Sequence, residues 1–287
     1  MAIAELKEAI TLLRQIPSLW VPGIVGGILA AALWVSLILS GTFFFTRLLV
    51  ISALILHLLT TGILVVTRDK EGDMKAILKG GIRYYFRALL PELVIVFGII
   101  LLYIVVSITI SLIGISSDPG IVEALTLGFM IPTVILTFFF DTAAVFEDRK
   151  VFESIQRSIQ LAMTHINEVI AFLFVCVLII GGIFVILWFV WGVFLSIFLY
   201  DKLEPIFQNE TQVQTFFQTT TPDQFIALIG PEGMWITAFM LFIGVLLLVP
   251  LLYSYKACFY RNLTRAMVIT QQLTTGEYDS KGRWYKY

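Results

Sequence analysis

Charge is what this chain has least of. Only 14% of its 287 residues are Asp, Glu, Lys or Arg, against 59% hydrophobic. Soluble domains carry about 25% charged residues. So sparse a supply cannot cover a water-facing surface, and lipid must solvate most of the chain. Cysteine is nearly missing. Cys176 and Cys258 sit inside apolar runs, and no structural disulfide is expected. Histidine is as scarce: His57 and His165 form no metal-ligand cluster with cysteine, so neither a metal nor a cofactor is expected. H-E-x-x-H, G-x-S-x-G and a phosphate-cradling glycine loop are all absent. Their absence removes the commonest zinc-protease, hydrolase and nucleotide-binding chemistries. Net charge is −1, which by itself says nothing about nucleic acid; no nucleic-acid partner is expected. The start, MAIAELKEAITLLRQIPSLW, is amphipathic rather than basic-then-apolar, so it does not read as a cleavable signal.

What the chain has in quantity is long apolar runs. Six are long enough to cross a bilayer core of about 30 Å as helices. They cover about 19–39, 45–66, 91–115, 121–146, 169–199 and 234–258. The expected fold is an all-α integral membrane protein. One polytopic domain spans 1–258, and a helix and tail follow at 259–287. Seventeen of the nineteen lysines and arginines fall in alternate links and at the two ends. Cation-rich links stay inside. A multi-pass protein of the cell membrane with both termini cytoplasmic is therefore expected. The fifth run is long for one crossing and is expected to tilt or to rise out of the membrane. It leads into an outer segment, 200–233. There Thr221, Pro222 and Gln224 mark a helix start and Gly230-Pro231 a stop. Asn209-Glu210-Thr211 in the same segment is a glycosylation-type triplet.

Three segments on the cation-rich side look alike: ELKEAITLLRQI before Pro17, DMKAILKGGIRYYFRALL before Pro91, and KVFESIQRSIQLAMTHI before Asn167. Each is an amphipathic helix, then a polar or proline step, then a span. Their similar spacing suggests three parallel repeats of one surface helix plus two spans. Evenly spaced loops in any six-span protein would look the same. In the second segment Met74, Ile77, Leu78, Gly81, Tyr85 and Leu89 form an apolar side. Lys75, Lys79, Arg83 and Arg87 form a basic ridge opposite. In the third, Ile155, Ile159, Ala162, Met163 and Ile166 form the apolar side. Such helices lie in the interface with cations near lipid phosphates. The ridge serves either anchoring and topology or the binding of headgroups or a partner. Gly80-Gly81 reads as a flexible point. Gly23, Gly27 and Ala31 offer a small-residue face, for internal packing rather than dimerisation.

Glu147 to Ser158, read as ED then ESIQRSIQL running into a span, resembles a group of six-span membrane proteins. LLRQIPSLWVPGIVGGIL and the tail GEYDSKGRWYKY are similar to archaeal members of that group. The group resembles the membrane domain attached to some glycerophosphodiester phosphodiesterases. The resemblance implies topology and membrane residence. It carries no activity, because the phosphodiesterase site belongs to a separate soluble domain.

Polar groups within spans are the candidates for function. His57 is central in the second span. Asp141 and Lys256 stand at matching depth near the inner boundary, and their opposite charges suggest a pair; separate snorkelling to water is the alternative. Pro132 and Pro250 are placed to bend their helices. Glu92 and Glu123 read as boundary residues, which leaves Asp141 without the second carboxylate that aspartyl proteolysis requires. The expected function is non-enzymatic: a membrane protein that engages membrane lipids, or a membrane-protein partner, through its basic helices. The alternative is a transporter or channel with a pathway near His57 and Asp141.

Overall fold

The computed structural model describes residues 2–70, 72–113, 119–200, 221–274, 276–278 and 284–286. Most of the outer segment expected at 200–233, including Asn209-Glu210-Thr211, lies outside the described residues. Helices dominate. They are α1 (Ala2–Gln15), α2 (Val21–Asp69), α3 (Met74–Ile113), α4 (Pro119–Thr137), α5 (Phe140–Phe146), α6 (Val151–Thr164), α7 (Ile166–Phe198) and α8 (Pro222–Thr274). A 3-10 turn at Pro17–Trp20 separates α1 from α2. In the tail, β1 (Gly276–Tyr278) pairs antiparallel with β2 (Trp284–Lys286), Gly276 opposite Lys286.

Among the described residues five helices, not six, are long and apolar enough to cross a membrane: Pro17–Asp69, Met74–Leu112, Glu123–Phe146, Ile166–Phe198 and Ala227–Arg265. The count differs because the first two expected runs are joined in α2. A straight helix of its 49 residues would reach about 74 Å. It is not straight. Gly41 adopts φ 70°, ψ −172°, outside the helical region and open to glycine alone without strain. Thirty residues separate Gly26 from Leu56, yet a methyl on Gly26 would lie 3.0 Å from Leu56 Cδ1. The two halves of α2 therefore lie side by side.

The second expected surface helix is corrected more deeply. Residues 74–89 do not precede a span across a step at Pro91. They belong to one 40-residue helix that carries Pro91 inside it. Ile77, Gly80, Gly81, Tyr84 and Ala88 are buried. A methyl on Gly81 would collide with the Leu58 carbonyl oxygen, and one on Gly62 with the Ile77 carbonyl oxygen. Gly80-Gly81 is thus a close helix crossing rather than a flexible point. The apolar side expected from spacing splits: Ile77 and Gly81 face α2, whereas Met74 and Leu78 are exposed beside Ile82 and Phe86. Gly23 and Gly27 do serve internal packing, against Leu246, Pro250 and Phe242 of α8.

The fourth expected run, 121–146, breaks at Phe138-Phe139 between α4 and α5. The break frees backbone groups that lipid cannot satisfy. Ser158 of α6 meets both: its hydroxyl accepts from Phe139 N–H at 2.9 Å and donates to Leu136 O at 2.9 Å. This explains the buried side of α6, which is Ser154, Ser158, Leu161 and Ala162. Met163, expected on that side, is exposed. The step after the first surface segment falls as expected, with the helix stopping at Ile16 before Pro17; after the third it falls at His165, two residues before the expected Asn167, which lies inside α7. The fifth run is one unbroken helix, α7, of 33 residues. In α8, Thr221 and Gln224 exchange the expected capping bonds (2.9 and 3.3 Å), and the chain breaks at Gly230, φ 61°.

The main core sits at the end of the bundle that carries most of the charge. Phe139, Phe172, Tyr255, Phe259 and Tyr260 stack there, all fully or nearly fully buried. Helix α1 docks on the same end. Its Glu8 pairs with Arg261, and Trp20 Nε1 donates to Leu13 O at 3.0 Å. Glu147 ties three elements together. It accepts from Tyr260 Oη at 2.7 Å, from Arg157 Nε at 2.9 Å and from Arg149 Nε at 3.2 Å. Burial works against its charge, but Tyr260, Arg157 and Arg149 prevail and hold the carboxyl below its ordinary value. A lowered carboxyl stabilises the fold above the ordinary carboxylate range and loses that contribution as pH falls through the folded value. Wild type should therefore exceed Glu147→Gln by about 2 kcal/mol at neutral pH. Unfolding followed against pH should show the gap closing in acid; a gap that does not change with pH would contradict this role.

Candidate functional site

Between α2, α3, the α4–α5 break and α8 lies a cavity of about 460 Å³. Its walls are mostly apolar; its polar groups come from five separate elements. Asp141 opens α5 just after the break. Its Oδ1 accepts from the Thr142 backbone at 2.6 Å, a bond available because the helix starts there. Lys256 Nζ sits 2.7 Å from Oδ1 and 2.8 Å from Oδ2. Both side chains are buried, and the ammonium also lies 4.4 Å from the centre of the Phe138 ring. The expected pair is present. Separate snorkelling is not what the geometry shows. Of the two expected bends, Pro132 lies inside α4 and the helix breaks later, beyond Thr137.

His57 enters the cavity from α2. Its Nδ1 is 2.9 Å from Glu92 Oε2. Thr60 and Thr61 spend their hydroxyls on the His57 carbonyl, at 3.1 and 2.8 Å. Tyr253 of α8 and Thr137 of α4 complete the polar lining. Glu92 was expected only to mark a span start. In the structure it lies within α3, five residues or about 7.5 Å beyond Arg87, and lines the cavity beside His57. The signal for that meeting was Gly80-Gly81, which marks the close crossing of α3 on α2. Glu92 and Asp141 thus share a cavity, but both Asp141 oxygens are held by Lys256. They do not share a proton as an aspartyl pair does.

The four cations of the basic ridge differ in their contacts. Lys79 and Arg83 line a separate cleft of about 170 Å³ with Arg68, Asp69 and Tyr84. Arg68 donates to Tyr84 Oη at 3.2 Å and to Val145 O at 2.5 Å. The Arg68 and Arg83 guanidinium groups each lie 5.3 Å from the Tyr84 ring centre. Arg87 is paired with Asp148. Lys75 is exposed and lies outside the cleft. Among the described residues no three His, Cys, Asp or Glu side chains gather as a metal site.

No family model, no curated protein and no solved structure matches the chain.

Proposed function

We propose that this is a non-enzymatic, multi-pass protein of the cell membrane that binds anionic lipid headgroups at its charged end. The chain crosses six times, α2 contributing two passes that reverse at Gly41, and both termini are cytoplasmic. The cation bias of the links supports that orientation. The likeness to the membrane domain of some glycerophosphodiester phosphodiesterases fits the same topology.

One observation carries the headgroup assignment. Arg68, Lys79 and Arg83 line one cleft with Tyr84, and Asp69, paired with Arg68, is the one carboxylate among the described residues that line it. Directly beside them α3 exposes Met74, Leu78, Ile82 and Phe86; the last two are 66% and 67% exposed. An anionic lipid offers a matching phosphate and chain side by side. Each cation near an anionic surface contributes about 1 kcal/mol. The double variant Lys79→Gln, Arg83→Gln should therefore lose most of the anionic lipid that copurifies with the protein, measured by native mass spectrometry. Lys75→Gln, outside the cleft, should lose far less. Equal losses would reduce the cations to a topology signal.

A second reading, a transporter or channel, is favoured by a different observation: one cavity reaches both His57 and Asp141. Solute passage across liposomes holding the purified protein separates the two.

A further inference from the structure

The cavity between α2, α3, α5 and α8 holds two carboxylates that are met differently. Asp141 and Lys256 cancel within their pair. That leaves His57 and Glu92. His57 Nδ1 is committed to Glu92, while Nε2 is buried with no hydrogen-bond partner among the described residues. Among the described residues Glu92 has the His57 imidazole at one oxygen and no lysine or arginine partner. Its side chain lines the cavity and is 48% exposed. A carboxylate that faces a largely apolar cavity gains from a cation placed beside it.

We propose that the cavity binds a monovalent organic cation, a protonated amine whose ammonium sits at Glu92. Its apolar body lies against Leu56, Ile95, Ile99, Val134, Phe138 and Phe140. The volume suits a small drug-sized molecule; ligand cavities run from about 300 to 1,000 Å³. An anion is disfavoured because the nearest cation, Lys256, already contacts both oxygens of Asp141. A bare metal ion is disfavoured because the walls are mostly apolar. This site is distinct from the headgroup cleft and does not depend on it.

A matched series tests the charge. The full chain is placed in nanodiscs of zwitterionic lipid and titrated calorimetrically with 4-phenylbutylamine, 4-phenylbutanol and 4-phenylbutyrate, with empty nanodiscs as the background. The three share one apolar body and differ in the head. The amine should bind saturably at one site, the alcohol at least tenfold more weakly, and the carboxylate not at all. Glu92→Gln should bring the amine down to the affinity of the alcohol. Ile99→Trp fills the apolar wall and should weaken amine and alcohol together, at least tenfold. Equal binding of amine and alcohol by the wild type would overturn the proposal without any variant. So would amine binding that survives in folded Glu92→Gln or folded Ile99→Trp, or displacement of the amine by an equal concentration of sodium chloride. Lipid retention by the cleft is a separate readout, so either site can fail alone.

Discussion

Asp141→Asn alone should destabilise the protein by about 3–5 kcal/mol, and Lys256→Met alone by a similar amount. Each variant leaves a buried charge without its opposite partner. Both side chains are about one-tenth exposed, so solvent screening offers little relief. The double variant removes both charges at once. Its loss should fall short of the sum of the two single losses by about 2 kcal/mol, within the range seen for contacting residues. Chemical unfolding in mixed micelles measures all four corners of this cycle. Strictly additive losses would mean that the 2.7 Å contact contributes no coupling. The pair also fixes α5 to α8 across the break at Phe138-Phe139. Losing one partner should therefore loosen the cavity wall as well as the fold.

The second large effect is steric. Gly81→Leu should destabilise the protein by about 3 kcal/mol, at the upper end of overpacking costs. The first side-chain carbon alone would strike the Leu58 carbonyl oxygen. That oxygen belongs to helical backbone and cannot swing aside as a side chain would. The two helices must part instead. Parting them separates His57 on α2 from Glu92 on α3, whose 2.9 Å contact depends on this crossing. Amine binding should then weaken together with stability. Gly98→Ala on the same helix is the control, because a methyl there meets nothing within 4 Å. If Gly81→Leu and Gly98→Ala melt alike, the close crossing does not hold the helices together.

Asp141 illustrates what the sequence made legible. Its charge, set behind three phenylalanines, stood at the same distance from the boundary as Lys256. Depth along a helix is a count of residues, so two facing charges on different helices can be matched before any fold is known. Pairing is then the ordinary way for lipid to tolerate them. The capping residues of α8 were legible for a similar reason, since Thr221 and Gln224 act within four residues of each other. The meeting of Glu92 with His57 was not legible. It depends on how α3 crosses α2, and Pro91 looked like a break between two helices. A proline inside a helix costs one hydrogen bond and a bend, which tight packing of the preceding turns on α2 outweighs. The serine face of α6 was hidden too. Ser158 is buried because a distant backbone break needs its hydroxyl, and that break is not written in α6.

By itself the sequence determined the solvent. Scarce charge and long apolar runs require helices in lipid, and the uneven placement of cations points to an orientation. These follow because transfer into lipid depends on local composition and on the count of residues along one helix. Only the tertiary structure decided which polar groups meet. The reversal at Gly41, the crossing at Gly62 and Gly81, and the break before Asp141 bring His57, Glu92, Asp141 and Lys256 to one cavity. Such meetings are set by contacts between segments far apart in the chain, and no local pattern encodes the distance between two helices.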